Sequence, residues 1–426
     1  MSLKKNQIFE TTIENLSSDG SGVAHSPDGE TVFIPGAAPG DEARVRIVKD
    51  CKRYAFGILD EVLTPSPDRI PVDCAVAGPC GGCSLRHLDY AAELRAKQEN
   101  VADAFARIGG LDVPVLPIVG SPEVNRYRNK VQFPVGVDKS GKPCIGFYAG
   151  RTHRIVPCPD CRLQPGVLNE IGNALCAFFA EKGIQPYSEE TGRGLVRHIF
   201  LRRGAHSGQI MVCLVCTRAK LPSAEELCTR LKAQFAEITT ILLNVNAKNT
   251  NVILGTETHT LYGPGYIEDT LCGVPVQLGP LSFYQVNTLA AEQLYGIAAQ
   301  YAQLTPDDLL LDLYCGMGTI GLSMAAHCRE LIGVEIVPEA IESAKANAAR
   351  MGADVAAKSR FFCADAGQAA TRLAAEGLHP DIVMLDPPRK GCDEATLSAV
   401  VRMSPRRVVY VSCNPATAAR DAAWLG

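Results

Sequence analysis

The chain has 426 residues, of which 46% are hydrophobic and 21% charged, and its formal net charge is -4. This length and composition are typical of a soluble protein with two or three domains, and we expect three. No stretch approaches the roughly 18 apolar residues of a membrane span, and the start of the chain lacks the apolar core of a signal peptide, so we expect a cytoplasmic protein with no membrane partner. In such a chain, 17 cysteines indicate thiols, metal ligands or catalysis rather than disulfides.

The N-terminal segment, residues 7–63, consists of short runs of alternating apolar and polar residues. Turn signals such as Asp19-Gly20 separate these runs. The pattern predicts a small β-barrel. We expect a stiff, polar linker at residues 64–71, and further on a helix whose apolar face includes Ile108 and which ends at Gly109-Gly110.

The middle third of the chain is basic. Residues 121–220 contain 15 Lys and Arg against 7 Asp and Glu, a local charge of +8, so the remainder carries -12. Binding of nucleic-acid phosphates depends on such a local field rather than on the net charge of the whole chain. A solvated basic face without a partner is the alternative. Strand-like runs and a helical stretch at residues 223–235 indicate an α+β domain.

Strands and helices alternate regularly from about Gly279 onward. Five nearly continuous apolar runs are predicted as strands, at residues 309–314, 331–336, 360–363, 381–386 and 406–413. Alternation of this kind predicts a parallel sheet with helices on both faces, the doubly wound Rossmann-like arrangement.

A glycine-rich turn after the first of these strands indicates a cofactor site. Gly316 and Gly318 allow the backbone to approach a ligand closely. Glu335 comes 23 residues after Asp312, at the end of the next strand, where a carboxylate can accept both hydroxyls of a ribose. Asp365 ends the third strand and is placed to hold an adenine amino group. The turn contains no lysine, which argues against a phosphate-cradling loop, but dinucleotide binding and a plain tight turn remain alternatives for the glycines alone.

The last two strands are predicted to carry the reacting groups. Asp386 and the two prolines after it form a rigid loop whose carboxylate can accept a ring N-H. Carbon 5 of uracil becomes nucleophilic only after a group adds at carbon 6, and a thiolate does this best. Cys413 ends the neighbouring strand and is placed for that addition. The alternative is a buried cysteine with no chemical role.

These motifs resemble the RNA (uracil-5-)-methyltransferases of the RumA and TrmA type. The resemblance rests on DLYCGMG, VEIV, LDPPR and VSCNP, and it extends to YRNKVQF at 127–133 and SFYQVN at 282–287. It implies a TRAM barrel, an RNA-binding module, at residues 1–64. An iron-sulfur segment and central domain would occupy 65–275, and an S-adenosylmethionine-dependent methyltransferase domain 276–426.

The resemblance also implies roles for individual residues. The implied donor site consists of Tyr314, Gly316, Glu335 and Asp365, with Gln285 contacting the donor or the target base. Asp386 would bind the uracil edge and also belong to the donor site, and Cys413 would be the nucleophile.

A cysteine cluster precedes the predicted helix. Cys74, Cys80 and Cys83 supply three thiolates, and Cys158 or Cys161 could supply a fourth, a set that suits zinc or a [4Fe-4S] cluster. Ribosomal-RNA members of the resembled family carry a [4Fe-4S] cluster on the same spacing, whereas transfer-RNA members lack it. The resemblance therefore implies that cluster, Cys161 as its distant ligand, and a 23S rRNA stem-loop as the substrate of a monomeric enzyme.

The sequence departs from the resembled family after Cys413. In the family, a glutamate well downstream of the nucleophile removes the proton from carbon 5, and no such residue follows Cys413 here. If Gly426 were the true terminus, we would expect an enzyme that methylates once and remains attached to its RNA. Three further hypotheses are methylation of uracil in tRNA, methylation of cytosine at carbon 5, and an RNA-binding protein whose catalytic domain is a remnant.

Overall fold

The computed structural model describes residues 3–426. These residues separate into two units: one extends to Gly120 and includes Tyr148–Val156, and the other comprises Ser121–Phe147 and Pro157–Gly426. The domain boundaries predicted at 64 and 275 stay a prediction. No helix within residues 3–426 is long and apolar enough to cross a membrane.

The first unit begins with the predicted barrel. Its strands are β1 (Ile8–Thr12), β2 (Asn15–Leu16), β3 (Ser21–His25), β4 (Thr31–Pro35), β5 (Glu42–Asp50) and β6 (Tyr54–Thr64), in the spatial order β1-β5-β6-β4-β3-β2. Alternate residues of β5, such as Val45 and Ile47, are buried in its core, as the alternation in the sequence predicts. Gly57 on β6 leaves room for this core, because a Cβ atom there would lie 2.6 Å from Val45 Cγ1.

The segment predicted to be a linker is attached to the barrel. Arg69 donates hydrogen bonds to both carboxylate oxygens of the fully buried Asp41, at 2.7 and 2.6 Å. The helix that follows is α1 (Tyr90–Ala104), which begins at its cap Asp89 and continues as one π-turn to Gly109. Gly110 ends it in the left-handed conformation, with φ 63°. The predicted apolar face is only partly buried, since Ile108 is 56% exposed.

The central part has an α+β structure, as predicted. Its strands are β7 (Lys130–Val137), β8 (Pro143–Tyr148), β9 (Ile155–Pro157), β10 (Val196–Arg203), β11 (Ile210–Cys216), β12 (Ile238–Val245), β13 (Glu257–Tyr262), β14 (Ile267–Leu271) and β15 (Val274–Leu278). Its helices are α2 (Gly166–Glu181) and α3 (Ala224–Gln234). Adjacent strands follow the order β13-β12-β11-β10-β7-β8, and β14 pairs with β15. Side chains such as Phe133 and Leu201 pack against the two helices, whereas Phe200 and Met211 belong to a second core on the other face.

The C-terminal part is the predicted doubly wound sheet. Its elements are α4 (Thr288–Ala302), β16 (Leu309–Leu313), α5 (Thr319–Met324), β17 (Glu330–Glu335), α6 (Pro338–Met351), α7 (Ala353–Lys358), β18 (Ser359–Cys363), α8 (Ala366–Ala375), β19 (Ile382–Leu385), α9 (Glu394–Met403), β20 (Arg407–Tyr410) and α10 (Pro415–Leu425). All strands are parallel, in the order β18-β17-β16-β19-β20. The chain reverses its direction across the sheet between β16 and β19, and ligands of such sheets bind beyond the carboxyl ends of the strands at this point.

The last strand is shorter than predicted. β20 ends at Tyr410 rather than at Cys413. The final ladder bond runs from the Val411 N-H to Leu385 O, at 2.7 Å. Pro387 and Pro388 follow on the neighbouring strand and have no N-H to donate, so pairing cannot continue. Cys413 therefore lies in the loop between β20 and α10.

Candidate active site at the carboxyl edge of the parallel sheet

The turn between β16 and α5 leaves the backbone open to a ligand. Tyr314, Gly316 and Gly318 have φ angles of 67°, 55° and 80°. A Cβ atom at Gly316 would meet no atom within 4 Å, whereas one at Gly318 would lie 3.1 Å from Leu322 Cδ1 and 3.2 Å from Ala344 Cβ. Gly318 is thus needed for packing under the turn, and Gly316 leaves room beside the backbone.

Glu335 is fixed at the end of β17, next to this turn. Its carboxylate accepts hydrogen bonds from the N-H groups of Gly316 (3.2 Å), Ile336 (2.8 Å) and Val337 (2.9 Å). A carboxylate has about four acceptor positions, so it can still accept a hydroxyl while held in this way. Ile336 is 62% exposed beside it. The pair offers a polar group for a ribose and an apolar surface for a base.

Asp365 lies beyond the neighbouring strand end. β18 pairs in parallel with β17, with Cys363 opposite Glu335. Asp365 caps α8, and its Oδ1 accepts the Gln368 N-H at 3.1 Å. The structure therefore places Asp365 and Glu335 at adjacent strand ends, as the sequence predicts.

Acidic groups dominate the electrostatics of this edge. Asp312 is 1% exposed; its Oδ2 accepts the Gly321 N-H at 3.0 Å, while its Oδ1 has no hydrogen-bond partner among residues 3–426. Burial raises the pKa of Asp312 to about 8, and the charges of Asp386 and Glu335 act in the same direction. Burial also raises the pKa of Asp386 to about 6. A cation bound among these carboxylates would relieve their repulsion, which suits a sulfonium group.

Sequence reasoning missed Tyr295, which lies on α4 and is 3% exposed. Its hydroxyl is 3.5 Å from Thr319 Oγ1. Burial raises the pKa of Tyr295 to about 12, a shift to which Asp386 adds and which hydrogen bonding to Thr319 and Gln285 opposes. The side chain thus joins the groups around the site, although no motif in the sequence marks it.

Gln285 is positioned by the YRNKVQF segment. The Asn129 side chain donates to Gln285 O at 2.7 Å and to Thr288 Oγ1 at 2.9 Å, and the Asn129 N-H donates to Val286 O at 2.8 Å. Residues 127–133 and 282–287, which are far apart in the sequence, are therefore in direct contact. Asn129 thus fixes the backbone of Gln285, and Gln285 itself is partly exposed.

Cys413 is exposed, and its segment is tied to the loop that carries Asp386. Asn414 caps α10 through the Ala416 N-H and also donates from Nδ2 to Arg389 O, both at 3.1 Å. Thr417 Oγ1 donates to the same carbonyl at 3.3 Å. Cys413 therefore lies directly before Asn414, the residue that caps the N-terminus of α10.

A buried carboxylate completes this connection. Asp421 is fully buried, and its Oδ2 accepts the Cys392 N-H at 2.8 Å and the Tyr410 hydroxyl at 2.5 Å. Arg420 donates to Asp421 Oδ1 at 2.7 Å and to the carbonyls of Lys390 and Cys392. Asp421 on α10 thus connects this helix to strand β20 and to the loop after Asp386.

The predicted metal ligands lie in both units. In the first unit, two of the predicted ligands, Cys83 and Cys74, act on the side chain of Arg86. Burial lowers the pKa of Arg86, but Asp73, Cys83 and Cys74 together raise it by more. Within residues 3–426, no group of three or more His, Cys, Asp or Glu side chains is arranged to hold a metal ion.

In the second unit, a hydrogen bond with Cys158 lowers the pKa of Cys161 to about 6, against the effect of burial. Within residues 3–426, the structure shows no metal site formed by Cys74, Cys80, Cys83 and Cys161, and this ligand set stays a prediction.

Other cysteines are core residues, as expected. Cys176, Cys213 and Cys216 are at most 5% exposed, and burial raises the pKa of each to about 12. Thiols in such surroundings are inert.

Comparisons with known proteins match both ends of the chain. A family model described as tRNA (Uracil-5-)-methyltransferase matches residues 206–425, and a TRAM domain model matches residues 3–59. An uncharacterized RNA methyltransferase of Halalkalibacterium halodurans is 43% identical over 420 residues, which cover 98% of this chain and 91% of that protein. One from Listeria monocytogenes is 42% identical over 423 residues, with the same coverage of 98% and 91%.

A solved structure is similar over nearly the whole length. It is the tRNA (uracil-54, C5)-methyltransferase of Pyrococcus abyssi in complex with S-adenosyl-L-homocysteine. The TM-score is 0.77 at 26% sequence identity, over 98% of this chain and 93% of that chain.

Proposed function

The chain belongs to the tRNA (uracil-5-)-methyltransferase family, and we propose that it methylates carbon 5 of a uridine through a covalent adduct with Cys413. We also propose 23S rRNA as the substrate, because Cys74, Cys80 and Cys83 have the spacing of the rRNA-methylating members that the sequence resembles. Membership in this family and the TRAM match confirm the resemblance, the N-terminal barrel and S-adenosylmethionine as the methyl donor. One observation carries the proposal: the segment of the exposed Cys413 is hydrogen-bonded to the loop that follows Asp386. This loop lies next to the open glycine turn, where the chain reverses its direction across the sheet.

The reaction begins with the thiolate. Cys413 Sγ forms a bond to carbon 6 of uracil, and the electron pair of the 5,6 double bond moves toward O4. Asp386 accepts the N3-H and holds the ring in register. When bound, S-adenosylmethionine would supply an electrophilic methyl group to carbon 5; its bond from sulfur to that methyl group would break, and S-adenosylhomocysteine would leave. Removal of the carbon 5 proton by a base and departure of the thiolate then restore the double bond.

The residues at the strand ends fit the donor. Glu335 is oriented by three N-H groups and can accept the ribose hydroxyls, and Asp365 can accept the adenine amino group. Gly316 leaves space for the donor beside the backbone. The carboxylate of Asp386 favours a positively charged donor over its neutral product. That difference assists release of the product after transfer.

The barrel carries features suited to unpaired RNA. Phe33, Tyr54 and Phe56 form a cluster on its outer face, with ring centroids 5.6 to 6.0 Å apart, and Tyr54 is 40% exposed. The adjoining β5-β6 hairpin carries the basic side chains of Lys49 and Lys52. Aromatic rings beside cations are the usual means of binding single-stranded nucleic acid. Single-stranded loops also expose the bases that such enzymes must reach.

An in vitro assay tests the reaction and its substrate together. The protein, in excess over RNA, is incubated with labelled S-adenosylmethionine and either 23S rRNA or tRNA transcripts, treated with protease, and the RNA is digested to nucleosides. We expect 5-methyluridine from rRNA, none from the Cys413→Ala variant, and full activity from the control Cys228→Ala. Methylation of tRNA alone would overturn the proposed substrate.

Two other outcomes of the same assay would overturn the proposed reaction. The first is 5-methylcytidine as the product. We disfavour it because Asp386 offers an acceptor for an N3-H that neutral cytosine lacks. The second is RNA binding without any methyl transfer, the behaviour of a catalytic remnant.

The iron-sulfur cluster is a separate proposal. The spacing of Cys74, Cys80 and Cys83 supports it, and no step of the reaction above depends on it. The protein would be purified without oxygen and its iron and sulfide measured. We expect about four of each per chain, lost in Cys80→Ala and retained in the control Cys144→Ala. Zinc without sulfide would contradict the proposal.

A further inference from the structure

We propose that Lys130 and Arg128 bind a backbone phosphate of the RNA beside the target nucleotide, and that the buried Arg202 adds its positive charge to this site. This inference rests on the proposed function, because it assumes an RNA substrate. It adds a binding site in the central sheet to the donor and base sites at the edge of the parallel sheet.

The register of the central sheet brings the cations together. Lys130 on β7 is directly opposite Arg202 on β10, and Arg128 lies two residues before Lys130. The neighbouring Val131 and Leu201 point into the core beneath α2 and α3. Because side chains alternate along a strand, Lys130 and Arg202 share the opposite face. Like charges directly across a sheet are unfavourable unless something compensates them.

No carboxylate provides that compensation. Arg202 is only 1% exposed, and its guanidinium donates to the carbonyls of Gly279 (2.9 Å) and Ser282 (2.7 Å). Carbonyl dipoles satisfy the donors without neutralising the charge. The buried Nε atoms of Arg202 and Arg128 have no hydrogen-bond partner among the described residues. Within residues 3–426, none of the three cations forms a salt bridge.

The uncompensated positive charges affect the pKa of Lys130. Burial lowers the pKa of Lys130, and the charges of Arg202 and Arg128 lower it further. An anion bound by Lys130 and Arg128 would offset the repulsion that Lys130 experiences from the two arginines. A phosphate oxygen can accept from several such donors at once, so the free protein holds a site that is more favourable when an anion is bound.

The position of the site indicates which anion. The carbonyls that hold Arg202 belong to the loop that leads directly to Gln285. Arg128 forms an isolated bridge with Asn287, and Asn129 binds Gln285 O. The cations therefore adjoin the segment proposed to contact the target base. Turning a base out of its stack requires that the backbone beside it be held, and phosphate contacts do this. The carboxylate of the methyl donor is the other anion that could reach this region.

The test compares two lysines in the same basic domain. Lys130→Met removes the proposed contact. Lys220→Met is the matched control, because Lys220 is exposed and follows β11 at the end of the sheet opposite to Arg202. RNA affinity is measured against salt concentration in a Cys413→Ala background, where binding is read without any methyl transfer. S-adenosylmethionine affinity is measured by calorimetry in the same proteins.

We expect Lys130→Met to weaken RNA binding about tenfold and to reduce the slope of log affinity against log salt by about 1. Its S-adenosylmethionine affinity and melting temperature should not fall, since removing one of three like charges relieves repulsion. Lys130→Arg should restore the slope, and Lys220→Met should keep it.

An equal slope in Lys130→Met and the unchanged background protein would overturn the proposal. So would weakened donor binding with RNA binding intact, which would assign the site to the donor's carboxylate. Failure of the proposed function itself would give a different result, namely no RNA binding or no methyl transfer in the protein with its native Cys413.

Discussion

Replacement of Asp386 by asparagine should stabilise the protein while it slows methylation strongly. Burial raises the pKa of this carboxyl from 3.8 to about 6, so the folded state opposes its ionisation. A difference of about 2 units corresponds to about 3 kcal/mol of lost stability once the group is ionised in both states. The protein tolerates this cost because the ionised carboxylate is the form that can accept the uracil N3-H.

The stability gained by Asp386→Asn should depend on pH, because it depends on whether the carboxyl group it replaces is ionised. A carboxyl group with a raised folded-state pKa favours folding below its unfolded pKa of 3.8, and this advantage disappears as the pH rises through about 6. The gain from Asp386→Asn should therefore be about 3 kcal/mol at pH 8 and about half of that at pH 5. For a domain of this size, the larger gain raises the melting temperature by roughly 6–10 °C.

Differential scanning calorimetry at both pH values measures the shift. Asp354→Asn is the control, because it removes an exposed carboxylate from the same domain. Methyl transfer by Asp386→Asn should fall at least about a hundredfold. In the unchanged protein, kcat/KM should decline below about pH 6 as the carboxylate becomes protonated. A variant no more stable than the parent at pH 8, or a gain equal at both pH values, would refute the reasoning.

Three further changes should separate the parts of the site. Glu335→Gln should weaken S-adenosylmethionine binding about tenfold in calorimetry, with RNA affinity unchanged, because it replaces one ribose acceptor oxygen with an amide. Asp421→Ala should leave Tyr410 and the Cys392 N-H without an acceptor, lowering kcat far more than either KM; failure of Asp421→Asn to recover part of the activity would argue against a positioning role. Tyr54→Ala should weaken RNA binding by about 1–3 kcal/mol in a gel-shift assay, and an unchanged affinity would exclude the barrel's aromatic cluster from the RNA contact.

The sequence is a good guide to this fold where periodicity is strong. The alternating barrel strands and the apolar runs of the parallel sheet were predictable, because each pattern has one way of burying its side chains. The strand ends followed from them, which is why Glu335, Asp365 and Asp386 lie where expected. The end of β20 was predicted wrongly, since the effect of Pro387 and Pro388 acts on a neighbouring strand rather than on their own.

Contacts between residues far apart in the sequence could not be predicted from it. Nothing near Asp421 indicates that it accepts from Tyr410 and Cys392, and nothing near Tyr295 indicates its contact with Thr319. The opposition of Lys130 and Arg202 likewise depends on strand register, which connects residues 72 positions apart. These are the features that hold or extend the site, and they become visible only when the chain is folded.

The covalent role of Cys413 is tested most directly with an RNA that contains 5-fluorouridine at the target position. Fluorine cannot leave carbon 5 as a proton does, so the adduct formed after methyl transfer is trapped. After digestion with trypsin and nuclease, mass spectrometry should find the methylated fluorouridine nucleotide on residues 408–420, whose single cysteine is Cys413. Attachment to any other peptide, or a stable adduct with the Cys413→Ala variant, would contradict the account.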